Sequence, residues 1–106
     1  VSELSEVFAK GKKYTVDGVE YEAKPAMLKD MEEVGELLGK VITTDIALNF
    51  IKFKDEDNKT YEARKKALYE LIKKAFRGTM PLEQIKKLDL AEVEEILSFF
   101  LRTKRL

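Results

Sequence analysis

The pair Asp17-Gly18 sits between two alternating runs, Lys13-Tyr14-Thr15-Val16 and Val19-Glu20-Tyr21-Glu22. Asp-Gly suits a two-residue type I′ turn, because both central positions need positive φ. That turn dictates the register. Val16 faces Val19 and Tyr14 faces Tyr21 on an apolar side, while Thr15 faces Glu20 and Lys13 faces Glu22 on a polar one. Each good cross-strand pair contributes ~0.2–1 kcal/mol. A two-stranded hairpin is marginal alone in water, so the Tyr/Val side must cover helices or meet a partner. Pro25 has no amide proton and ends the second strand. Beyond it the hydrophobic period changes from strand-like to helical. The reading is an α+β fold in one domain, 1–106. A β-hairpin over 12–24 precedes a mainly helical bundle of three to four helices over 27–106.

The helical part reads in stripes. Leu28, Met31, Val34, Gly35, Leu38, Val41 and Ile42 fall on one arc, with Asp30, Glu32, Glu33, Glu36 and Lys40 mostly outside it. Acidic residues in the first turns suit the helix dipole. Gly35 lies inside the apolar arc, where a close helix crossing would explain it. Residues 43–54 read as helix or partly extended. Helix is preferred, with Thr44 as cap and Ile46, Phe50 and Phe53 facing inward. Asp55-Glu56-Asp57-Asn58-Lys59 reads as a solvated loop, and Thr60 as the next N-cap. Tyr61, Ala67, Leu68, Leu71, Ile72, Ala75 and Phe76 form the following stripe, with Arg64-Lys65-Lys66 and Lys73-Lys74 on its flanks. Gly78 stops that helix, and Pro81 opens a short turn through Leu88. Asp89 and Glu92 then have capping-box spacing, with Leu88 and Val93 placed for a hydrophobic staple. Leu90, Val93, Ile96, Leu97, Phe100 and Leu101 make the last stripe. Arg102, Lys104 and Arg105 suit its C-terminal end.

Several chemistries are excluded by composition. The chain has no histidine and no cysteine. Ser-His-Asp, Cys-His and thiolate or imidazole metal chemistry therefore cannot be built from it. The expectation is a protein that is not an enzyme, with no metal and no cofactor. No apolar run approaches the ~20 residues of a membrane span. The opening Val1-Ser2-Glu3 carries no signal-peptide pattern. Net charge is zero, which argues against a dedicated nucleic-acid binder, yet it is unevenly placed. Residues 1–57 carry net −5 and residues 58–106 net +5. Such polarity would suit head-to-tail self-association or an acidic partner, but an ordinary solvated surface with local runs of either sign is the preferred reading.

Other motifs fail on spacing. A calcium loop starting at Asp55 would need an oxygen ligand, a glycine and a glutamate where Lys59, Thr60 and Lys66 stand. Gly35-Glu36-Leu37-Leu38-Gly39-Lys40 is one residue short of a phosphate loop, and Val41 replaces its hydroxyl. Asn58-Lys59-Thr60 is a chance glycosylation sequon without a secretion signal. The carboxylates Glu32-Glu33-Glu36 and Glu92-Glu94-Glu95 read as solvated faces. The basic clusters 64–66, 73–74 and 86–87 lack an aromatic or glycine-rich platform for nucleic acid.

Residues 13–25, with Leu28-Lys29-Asp30-Met31-Glu32-Glu33-Val34 after them, resemble the start of small tail assembly chaperones of long-tailed bacteriophages. The shared pattern is aromatic, turn, aromatic, three residues, proline, then a Leu-x-Asp-apolar helix. It covers roughly 25 residues well, and other small phage tail and head–tail proteins share it. The resemblance implies binding to the long, apolar, largely helical tape measure protein. It also implies help in gathering tail tube subunits, action in the host cytoplasm, and no catalytic residues. The alternatives are a structural phage or prophage head–tail or minor tail protein, or a small helical DNA-binding regulator.

Candidate contact residues follow. Phe99 falls about 60° outside the last stripe, and Leu37 lies on the flank of the first helix. Both either widen the core or belong to a surface for another copy or for a tape measure helix. Tyr14 and Tyr21, on the hairpin's apolar side, are the other candidates.

Overall fold

The computed structural model of the protein describes residues 11–42 and 45–101. Strands β1 (Lys12–Val16) and β2 (Val19–Ala23) form an antiparallel hairpin. Its register pairs Val16 with Val19, Tyr14 with Tyr21, Thr15 with Glu20 and Lys13 with Glu22. Asp17 and Gly18 both have positive φ, 51° and 81°, as a type I′ turn requires. After a 3₁₀ turn at Leu28–Asp30 come helix α1 (Met31–Leu38), a 3₁₀ segment at Ile46–Phe50, and helix α2 (Asn58–Ala75). A short helix α3 (Leu82–Ile85) and helix α4 (Leu90–Leu101) complete the bundle. The α+β reading, a hairpin followed by helices, is the fold observed.

Helix α2 is the centre of the bundle. Ala67, Leu68, Leu71, Ile72, Ala75 and the following Phe76 are all buried. Its N-terminus is closed by Asp57, which accepts the Thr60 N–H at 2.7 Å. Its C-terminus is a Schellman arrangement. Gly78 N–H donates to Lys73 C=O at 2.9 Å and Arg77 N–H to Lys74 C=O at 3.0 Å. At the start of α4, Asp89 and Glu92 exchange side-chain-to-backbone bonds of 3.0 and 2.7 Å, the reciprocal capping box read from the sequence. The chain leaving the hairpin closes two helix ends. Lys24 N–H donates to Ala75 C=O at 2.9 Å, and Ala26 N–H to Phe100 C=O at 2.8 Å. Both carbonyls stand in the last turn of their helices, where intrahelical donors run out, and the segment around Pro25 supplies a donor to each.

The structure corrects several local expectations. Val19 is 49% exposed while its partner Val16 is buried, because the twisted hairpin meets the bundle along Tyr14, Val16 and Ala23. Glu22 turns from Lys13 to the Gly11 N–H and to Lys24. The first helical stripe is rotated. Val34 is buried and Leu37 half-buried, whereas Leu28, Met31 and Leu38 are exposed. The 3₁₀ turn advances about 120° per residue and shifts the phase. The helix also stops at Leu38, before Val41 and Ile42. No neighbouring atom lies within 4 Å of where a Cβ on Gly35 would stand, so no helix crosses there. Residues 46–54 are not α-helical: the 3₁₀ segment gives way to extended backbone at Ile51. The α2 cap is Asp57 rather than Thr60. Leu90, in the first turn of α4, is exposed. The expected cap Thr44 and the cations Arg102, Lys104 and Arg105 lie outside the described residues.

Candidate functional site

Leu38, Val41 and Ile42, at and beyond the end of α1, face Leu97 and Leu101 of α4 across an open groove of about 600 Å³. Leu68 and Leu71 of α2, both almost wholly buried, form its floor, and Ile46 closes in from the 3₁₀ segment. Glu94 and Ser98 are its polar lining residues. The groove follows from the rotation of α1. Leu38 and Ile42 are 39% and 50% exposed on the rim. Helical bundles bind ligands between helices in apolar hollows of this kind, and an exposed apolar patch marks a contact surface.

The end of the groove at Ile46 is held by a buried cation. Arg64 is 1% exposed, and its guanidinium donates to Leu48 C=O and Ile51 C=O, each at 3.2 Å. It also grips the Glu56 carboxylate through both Nε and Nη2. The rings of Phe53 and Tyr61 stand 5.2 and 5.6 Å from its centre. Burial works against ionising Glu56. The Arg64 contacts and the Phe53 N–H outweigh it and hold the carboxyl below its ordinary range. Residues 55–59 are thus not a solvated loop throughout, and Arg64 is not on a flank. One buried side chain fastens the whole segment from Leu48 to Glu56. Sequence reasoning missed it because Arg64 was grouped with Lys65 and Lys66. The available signal was its position in the Ala67/Leu68/Leu71 arc, with an acidic run just upstream.

The four candidate contact residues are not gathered into one surface. Tyr14 and Tyr21 both pack edge-on against Phe76, at ring distances of 6.1 and 6.3 Å. The Tyr14 hydroxyl donates to Glu95 at 2.5 Å. Burial and then this bond to a carboxylate raise the phenol above its ordinary value. Glu95 is held low by the Tyr14 hydroxyl and by Lys12, 3.2 Å away. Leu37 and Phe99 are half-buried and pack against the core from two other elements. The exposed apolar side chains nearest the groove are Leu38 and Ile42, neither of which was singled out as a contact residue.

Among the described residues no cluster of three or more acidic side chains could hold a metal ion. Asp57 and Glu56, the core of the calcium-like run, are engaged by Thr60 and Arg64. No described helix is long and apolar enough to cross a membrane. Comparison with known protein families, curated proteins and solved structures finds no match to this chain.

Proposed function

We propose that this chain is a non-catalytic binding protein that takes an apolar helical segment of another protein into the groove between α1 and α4. The resemblance in residues 13–34 supports the narrower reading of a phage tail assembly chaperone. Its partner is the tape measure protein, kept soluble in the host cytoplasm while tail tube subunits gather. The observation that carries the reading is the groove itself. Leu38 and Ile42, 39% and 50% exposed, form an apolar rim over a floor of buried leucines, and among the described residues nothing covers that rim. An amphipathic helix laid there would cover it through residues spaced three and four apart. The length and apolar character expected of a tape measure chain suit such a site.

The test is co-expression with the tape measure protein of the same genome. Wild-type chain raises the soluble tape measure fraction and co-purifies with it. Ile42→Glu places a charge on the rim at an exposed position, so the fold survives and capture is lost. A tape measure protein equally insoluble with and without the chain rejects the chaperone reading. Capture that survives Ile42→Glu rejects the groove as its site.

A further inference from the structure

We propose that a second copy of this chain docks on the first, the outer face of α1 on one copy meeting the hollow between α2 and α3 on the other. The outer face of α1 is acidic: Glu32 and Glu36 project from it, exposed, beside the exposed Met31. Neither glutamate forms an ion pair among the described residues. The hollow has the opposite character. Lys65, Lys66, Lys73 and Lys86 surround it against Glu62 and Glu70, with Tyr69 and the exposed Leu82 between them. Among the described residues only Lys65 of these lysines has a carboxylate partner, Glu62 at 3.4 Å, while Lys86 lies over the Tyr69 ring. Each face therefore carries an excess of one sign beside an exposed apolar side chain: Glu32 and Glu36 with Met31 on one, and Lys66, Lys73 and Lys86 against Glu70 with Leu82 on the other. Such pairs steer and orient association, while the apolar contact supplies the affinity.

Charge placement favours a copy of the same chain as the occupant. The two faces are complementary to each other, and net charge is zero, so two copies approach without overall repulsion. The excess of −5 over residues 1–57 and of +5 over residues 58–106 is where this complementarity resides. The contact is separate from the groove. It stands or falls independently of whether the groove takes a helix.

Sedimentation velocity over a concentration series, at low and at high salt, provides the test. Three proteins are compared: wild type, Glu32→Lys with Glu36→Lys, and Lys66→Glu with Lys86→Glu. All four positions are exposed, so thermal unfolding shows each variant folded as the wild type is. Wild type self-associates, and salt weakens the association, because the interacting charges are solvent-exposed. Each variant alone associates at least about tenfold more weakly, since like charges then face each other. Mixing the two variants restores association, because the lysines placed on α1 of one meet the glutamates placed in the hollow of the other. A wild type that stays a single chain at the highest concentration in low salt overturns the proposal. So does association that ignores both salt and charge reversal, or a mixture no tighter than its components.

Discussion

At the scale of the residue, Arg64 decides the most. It is a cation in the protein interior, and the cost of burying it is met by two carbonyls, a carboxylate and two aromatic rings. Removing the guanidinium leaves the Glu56 carboxylate, whose side chain is 14% exposed, without its cation. Arg64→Ala is expected to lower unfolding free energy by about 3–5 kcal/mol in urea denaturation, with the groove end at Ile46 loosened. Arg64→Lys keeps the charge but loses the two-pronged grip on Glu56. It is expected to recover only part of the stability. The pair of phenylalanines near the end of α4 separates in the same way. Phe100 is 1% exposed and Phe99 half-buried. Phe100→Ala should cost about 3–5 kcal/mol. Phe99→Ser should cost less and, if Phe99 touches no partner, leave assembly and capture unchanged.

At the scale of the element, local chemistry was most legible where neighbouring residues alone determine the conformation. The hairpin register follows from Asp17-Gly18 and the strand period. The capping box follows from Asp89 and Glu92, three residues apart. Both depend on hydrogen bonds within a few residues. Asp89→Ala is accordingly expected to destabilise by about 1 kcal/mol, measured by thermal or urea unfolding. The stop of α2 was legible at Gly78, but its form was not. The left-handed conformation begins one residue earlier, at Arg77, with φ of 56°, and Gly78 follows at 78°. A non-glycine side chain there costs about 1–2 kcal/mol, offset in part by the Arg77 bond to Pro25 C=O at 2.9 Å. Where tertiary packing chooses, the sequence was less readable. The apolar arc of α1 predicts Leu38 inside and Leu37 on the flank. The phase shift at Leu28–Asp30 and the tie from Glu33 to Lys74, 2.6 Å, turn the helix so that Leu37 packs and Leu38 borders the groove. The groove was therefore hidden from periodicity, which reports that one face is apolar but not which part of it a short helix buries.

At the scale of the whole molecule, the question is what makes the hairpin and the bundle one cooperative unit. Two strands alone are marginal in water. Here they rest on Phe76 through Tyr14 and Tyr21, and the segment after them closes the ends of α2 and α4. Polar ties join the same pieces: Asp17 to Lys87 across the turn, and Glu95 to both Tyr14 and Lys12. Hydrogen exchange should then show the β1 and β2 amides opening with those of α2 rather than before them. The Tyr14–Glu95 bond adds a pH signature. It needs a protonated phenol and an ionised carboxylate. Glu95 is held below its ordinary 4.5, so its share of stability is complete above that value and lost as pH falls through the lower folded value. Tyr14 is held above its ordinary 10.0, so its share is complete below that value and lost as pH rises beyond it. Tyr14→Phe removes the donor while keeping the ring on Phe76. Unfolding followed across pH should show the variant weaker by about 1 kcal/mol in the neutral range, with the gap closing on the acid side. A gap that stays constant as pH falls through the Glu95 titration would mean that the Tyr14 hydroxyl stabilises the fold without the ionised carboxylate, and no gap at any pH would mean that the ring packing on Phe76 is all that Tyr14 contributes.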